Sequence, residues 1–246
     1  MNFKMRRSLS ILCVSGLAIG LAGNVQAQVL PGPTADIKVN GVTLDISNLF
    51  VQVGKLYVIP TQVVTVAGID VTIGSVGNPD PSITYSFAAT NPLSGPIPFG
   101  FDEAIPLTMP CPAGSTILTT IGYSLTDDLS GNGVTLTPLS GLAQHATGNG
   151  TDLGYNVGPA ETGSGKGGLH TYVFGDPTPG FQTSGPSPFA FNVLDVHLGF
   201  TLTGGGDSVG ITGAVGCEAV PEPNVVTMFA GLGVFGIFTL RRRRRA

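Results

Sequence analysis

The residues most able to do chemistry in this chain are Asp128-Leu129-Ser130-Gly131-Asn132-Gly133. Oxygen-bearing side chains at the first, third and fifth positions, with glycine at the sixth, match the opening of a calcium loop, where hard oxygen donors replace the ion's water shell. The twelfth position is Leu139, so the bidentate acid that closes such a loop is missing. The competing reading is a polar hairpin turn between a strand ending near Leu125 and one starting at Val134. Asp127, or a carboxylate distant in sequence, could complete a weak extracellular site. Asp128, Ser130 and Asn132 are therefore the metal candidates, and calcium is the one candidate cofactor.

Catalytic groupings are scarcer. The three histidines are His145 in a glycine-rich stretch, His170 at a strand start, and His197 beside Asp195 on a polar strand face. Asp195 and His197 stand two apart, so both point the same way and could hydrogen-bond, although a solvated face explains them equally well. No Gly-x-Ser-x-Gly and no His-Glu-x-x-His occurs. Ser164-Gly165-Lys166-Gly167 superficially suggests a phosphate loop. Ala160 stands where its first glycine belongs, Gly167 replaces the Ser or Thr, and no long helix follows. The expectation is a protein with no catalytic residues; a secreted hydrolase is the third-ranked reading.

The elements that must position these groups read as β-strands. Ile83, Tyr85, Phe87 and Ala89 share one face of the stretch Ser82 to Thr90. Thr116 to Leu125 places Ile117, Ile121, Tyr123 and Leu125 together, with Thr119 the polar intruder. Between Ala190 and Thr203, Leu194, Val196, Leu198, Phe200 and Leu202 face one way, and Asp195, His197, Thr201 and Thr203 the other. One dry and one wet face indicate antiparallel sheets packed on each other. About ten such strands give an all-β fold, a single antiparallel β-sandwich. The proline-rich segment Pro92 to Pro112 reads as irregular or edge, with one short strand over Glu103 to Thr108. Residues 140–168 read as a glycine-rich loop.

Composition bounds the partners. Eight of the eleven basic residues lie near the two ends of the chain, leaving Lys38, Lys55 and Lys166 against fourteen carboxylates between Asp36 and Glu218, a formal charge of −11. Such a surface repels nucleic acid and anionic lipid headgroups. It suits divalent cations or colloidal solubility outside the cell. A carbohydrate-binding module is the main alternative function for a β-sandwich, and sugar platforms favour exposed Trp and Tyr. The chain has no tryptophan, and only Tyr155 and Tyr172 are candidates for exposure.

The ends carry address signals. Lys4, Arg6 and Arg7 precede an apolar run from Ile11 to Gly23, and Val25-Gln26-Ala27 fits the small-x-small cleavage rule. Residues 1–27 are thus expected to be a signal peptide helix, and 28–219 the secreted domain. In the oxidising compartment this implies, Cys111 and Cys217 form an even pair expected to bridge; two separately buried thiols are the other reading. At the far end, Pro221-Glu222-Pro223 is followed by the uncharged run 225–240 and then by Arg241, Arg242, Arg243, Arg244 and Arg245. Sixteen helical residues span roughly 24 Å, short of the ~30 Å hydrocarbon core but within reach of arginine snorkelling and bilayer thinning. The arginines place the C-terminus in the cytoplasm.

Residues 220–246 resemble the PEP-CTERM sorting signal of Gram-negative bacteria: the triplet, the short apolar helix and the arginine cluster stand in that order at the end of the chain. The resemblance implies cleavage near the motif by an exosortase, a membrane-embedded transpeptidase. It also implies a transient membrane anchor through the C-terminal helix, a final place at the cell surface or in the extracellular matrix, and exopolysaccharide as a partner. A plain C-terminal membrane anchor is the simpler alternative.

Overall fold

Alternation of apolar and polar residues, interrupted by Gly, Asn and Pro, resolves into sixteen strands among the described residues. The computed structural model describes residues 32–128, 131–164, 169–175 and 180–218. The expected signal peptide, sorting triplet, membrane helix and arginine cluster lie outside the described residues, as does Ser130. Among the described residues no helix is long and apolar enough to cross a membrane.

In chain order the strands are β1 (Thr34–Val39), β2 (Val42–Asp45), β3 (Val51–Val53), β4 (Leu56–Val66), β5 (Ile69–Asn78) and β6 (Ser82–Thr90). There follow β7 (Ile97–Cys111), β8 (Thr116–Asp127), β9 (Val134–Pro138), β10 (Gln144–Gly148) and β11 (Thr151–Asp152). The last are β12 (Glu161–Gly163), β13 (His170–Phe174), β14 (Phe181–Pro186), β15 (Phe191–Leu202) and β16 (Ser208–Glu218). One antiparallel sheet runs β11-β10-β15-β7-β1-β2, with β9 also on β15 and β12 on β9. The other runs β13-β8-β16-β6-β5-β4-β3, with β14 also on β8.

The two inner faces form one core. Ile83, Tyr85 and Phe87 of β6 and Ile121, Tyr123 and Leu125 of β8 are buried, as are Phe99 and Phe101 of β7 and Leu198 and Phe200 of β15. The rings of Phe99 and Phe200, direct cross-strand partners, stack 5.6 Å apart. Phe87 meets Phe200 edge-on from the opposite sheet at 5.8 Å, a geometry worth about 0.5–1.5 kcal/mol beyond area burial. A carboxyl also enters this interior. Glu103 of β7 is 1 % exposed, accepts a hydrogen bond from Ser75 of β5 in the other sheet, and leaves Oε1 without a partner. Burial pushes its carboxyl up to about 7, against the opposing effect of the Ser75 hydrogen bond.

Cys111 and Cys217 are joined, linking the end of β7 in one sheet to the end of β16 in the other across a sequence separation of 106. Closing a loop of that length contributes about 4–5 kcal/mol in the chain-entropy model.

Several sequence expectations are corrected. The segment Pro92–Pro112 is not an edge: it contains β7, fifteen residues long and flanked by β15 and β1. Its prolines avoid the conflict because β1 pairs only with Phe99 to Ala104, leaving Pro98, Pro106 and Pro110 outside the doubly bonded stretch. Residues 140–168 are not one long loop but contain β10, β11 and β12. Glycines there serve packing. A Cβ on Gly148 would meet the Phe191 ring at 2.7 Å, and Gly158 and Gly163 likewise leave room for the Tyr123 hydroxyl and the Tyr172 ring. The stretch after Asp127 is no hairpin, because β8 and β9 belong to different sheets. Tyr155 and Tyr172 are half-buried against the core rather than displayed, and Tyr155 donates to the Pro186 carbonyl at 2.7 Å.

Candidate metal centre

Three connections cross between the sheets at one end of the sandwich: 91–96 from β6 to β7, 128–133 from β8 to β9, and 203–207 from β15 to β16. Backbone polar groups leaving a sheet need new partners. Asn91, fully buried, supplies many of them. Its side-chain amide shares its protons among the carbonyls of Gly95, Leu202 and Thr203, at 2.9–3.0 Å. Its side-chain oxygen accepts from the Leu93 N–H, and its backbone N–H donates to the Asp207 carbonyl at 2.8 Å.

This packing holds Asp207 beside Asp127 and Asp128. One oxygen from each of the three carboxylates lies within 4.8 Å of the others. Asp207 accepts from the Asp128 N–H at 3.3 Å and from the Thr203 hydroxyl. Asp127 accepts from the Gly133 N–H at 3.0 Å through Oδ2, while its buried Oδ1 has no hydrogen-bond partner. Burial first, with the charges of Asp127 and Asp128 adding, raises the Asp207 carboxyl above its ordinary range despite the Thr203 and Asp128 donors. Gly206, at φ +111°, lies against Asp128, whose Cβ a Cβ at this position would meet at 3.3 Å. Its left-handed backbone is one that glycine adopts without strain.

Of the three metal candidates read from the sequence, Asp128 belongs to this cluster and Asn132 lies near it, with Asn132 Nδ2 4.0 Å and Asp128 Oδ2 3.9 Å from where a Cβ on Gly205 would lie. Leu139, which ends the loop pattern, is an exposed apolar residue. Asp207 was not singled out in the sequence. Its one local signal is the preceding Gly204-Gly205-Gly206, which lets the chain turn tightly against Asp128.

A second polar group lies on the outer face of the other sheet. Asp195 and His197 do not bond to each other. His197 Nδ1 lies 2.8 Å from Asp102 Oδ1 of β7, and Nε2 lies 3.2 Å from the Thr147 hydroxyl of β10. Thr147 donates to Asp195 at 2.7 Å, and Lys38 pairs with Asp102. The bond to Asp102 raises the His197 pKa against the effect of burial. Burial alone would raise Asp102, yet the bonds from His197 and Lys38 outweigh it and hold that carboxyl below its ordinary range. This carboxylate–imidazole–hydroxyl row has the connectivity of a nucleophilic triad. Its hydroxyl proton, however, is committed to Asp195, so His197 is not placed to deprotonate it.

No curated protein matches the chain. Residues 219–245 match the family model of the PEP-CTERM protein-sorting motif, directly after β16 ends at Glu218. The chain therefore ends in a PEP-CTERM sorting motif, the mark of an exported protein that an exosortase sorts to the surface or beyond.

Proposed function

We propose that this is a cell-surface or extracellular-matrix protein whose sandwich has a structural or adhesive role and no catalytic activity. The signal peptide 1–27 starts export, and the helix 225–240, ended by Arg241 to Arg245, holds the chain in the inner membrane. An exosortase-type transpeptidase then cuts near Pro221-Glu222-Pro223. The observation that carries this reading is the junction: the sorting motif begins at residue 219, two residues after Cys217. Cleavage at the motif leaves the last strand and its covalent tie to β7 intact, so a complete sandwich is delivered. The acidic body suits a hydrated polysaccharide matrix, with exopolysaccharide as the partner.

The commitment of the Thr147 hydroxyl to Asp195 supports a non-catalytic role. The carbohydrate-binding alternative is weakened by the packing of Tyr155 and Tyr172 against the core. Mass spectrometry of the mature C-terminus, in cells with and without the exosortase, tests the processing. Loss of Arg241 to Ala246 only in cells holding the enzyme is the expected result. Retention of those residues in both strains would leave a plain anchor and defeat the proposal.

A further inference from the structure

We infer that Asp127, Asp128 and Asp207 bind a calcium ion that ties together two of the three inter-sheet connections at one end of the sandwich, the one after β8 and the one before β16. The site differs from the loop motif legible in the sequence: two of its three carboxylates stand outside the pattern that begins at Asp128, and one comes from a segment 79 residues further on.

Two independent observations carry it. The first is spacing. Calcium holds its oxygen ligands at about 2.3–2.6 Å, so two ligands of one ion stand up to ~5 Å apart; magnesium dehydrates reluctantly and is seldom held by a cage of protein carboxylates alone. Three carboxylate oxygens within 4.8 Å of one another are close enough to meet a single calcium ion. The second is Asp127 Oδ1. Asp127 is fully buried, and this oxygen has no hydrogen-bond donor, a state that is costly for a carboxylate unless a cation meets it. No lysine or histidine supplies that charge to Asp127 or Asp207 among the described residues; their donors are Gly133 N–H, Asp128 N–H and the Thr203 hydroxyl.

The frame is also preorganised. Backbone bonds from Asn91 to Asp207, from Gly206 to Asn91 and from Gly205 to Leu93, at 2.6–2.9 Å, hold the Asp207 segment in place before any ion arrives. Calcium takes six to eight oxygens, so water completes the shell. Bound there, the ion would link β8, β16 and the connection to β9.

The test is calorimetric titration of the purified exported protein with calcium chloride and, separately, with magnesium chloride, after chelator treatment. It is accompanied by thermal melts of the same samples. The expected result is one calcium site with a dissociation constant of about 10⁻⁴–10⁻³ M, the range of extracellular modules. Magnesium should bind more weakly. Asp207→Asn keeps the hydrogen-bonding shape and should weaken calcium at least roughly tenfold and abolish the calcium-dependent rise in melting temperature. Asp70→Asn, at an exposed carboxylate bonded to Thr65, controls for diffuse attraction to the acidic surface and should leave both readouts unchanged. Equal loss in the Asp70 and Asp207 variants, or undiminished binding by Asp207→Asn, would overturn the assignment. Absence of any calcium heat from the wild-type protein would do the same. Asp127→Asn serves as the second variant should Asp207→Asn not fold. These outcomes are independent of the processing experiment, because the site lies in the sandwich and not in the tail.

Discussion

Strands β7 and β16 lie in different sheets, and they are linked by different chemistry at their two ends. Where the sorting tail leaves, Cys111 and Cys217 join them covalently. Some eleven residues away along β16, or roughly 35 Å, the side-chain links between the sheets among the described residues run through Asn91 and the Asp207 segment. The covalent end responds to redox conditions alone. The polar end depends on hydrogen bonding and charge, and thus on pH and ions. The covalent tie stands at the end from which the sorting motif continues, and the condition-dependent one lies at the other end.

The largest effect expected from breaking this contrast is at the disulfide. Replacing both Cys111 and Cys217 by Ser, or reducing the bridge, should lower stability by about 4–5 kcal/mol in denaturant unfolding. A loss below ~1 kcal/mol would show that the covalent end contributes little. Next comes Glu103, which lies along β7 between the ends. Its carboxyl is held at about 7 in the folded protein, above its ordinary 4.5. The folded state therefore binds the proton more tightly than the unfolded one, and the contribution is complete below pH 4.5. It falls away as pH rises to 7, by about 3 kcal/mol in total. Glu103→Gln should flatten that part of the stability-versus-pH curve, and a slope unchanged in the variant would assign it to other groups. Smallest is Asn91→Ala at the polar end, which strips the donor from three carbonyls and should lower stability by about 2 kcal/mol with the disulfide intact. Made in the reduced protein, the same substitution shows whether the two ends act independently, since distant sites add within about 0.5 kcal/mol.

Where alternation was clean, the strands were legible. Ser82 to Thr90 is β6 without adjustment, and the dry faces assigned around Ile83, Ile121 and Leu198 are the buried ones. Where side-chain type pointed the other way, tertiary pairing overrode it. Prolines hid β7, because what matters is which edge of the strand needs its N–H groups, and that depends on how far β1 extends. Glycines hid β10 to β12, because a missing Cβ can mean a neighbouring ring rather than a free loop. The metal candidates were half legible. Asp128 and Asn132 were marked by spacing, whereas Asp207 has no spacing relation to them and comes beside Asp127 and Asp128 because β16 pairs with β8, Ser208 lying opposite Thr126.

By itself, then, the chain's order of residues determined its secondary structure class, its acidic charge and its sorting tail. Each of these is a local property, written in runs of a few to some twenty-five neighbouring residues. The three-carboxylate cluster and the Asp102–His197–Thr147 row were decided only when distant strands paired within a sheet, and the buried Glu103–Ser75 link only when the two sheets closed on each other. Contacts between strands far apart in sequence follow from pairing order, and nothing in a single strand's pattern specifies which partner it will meet.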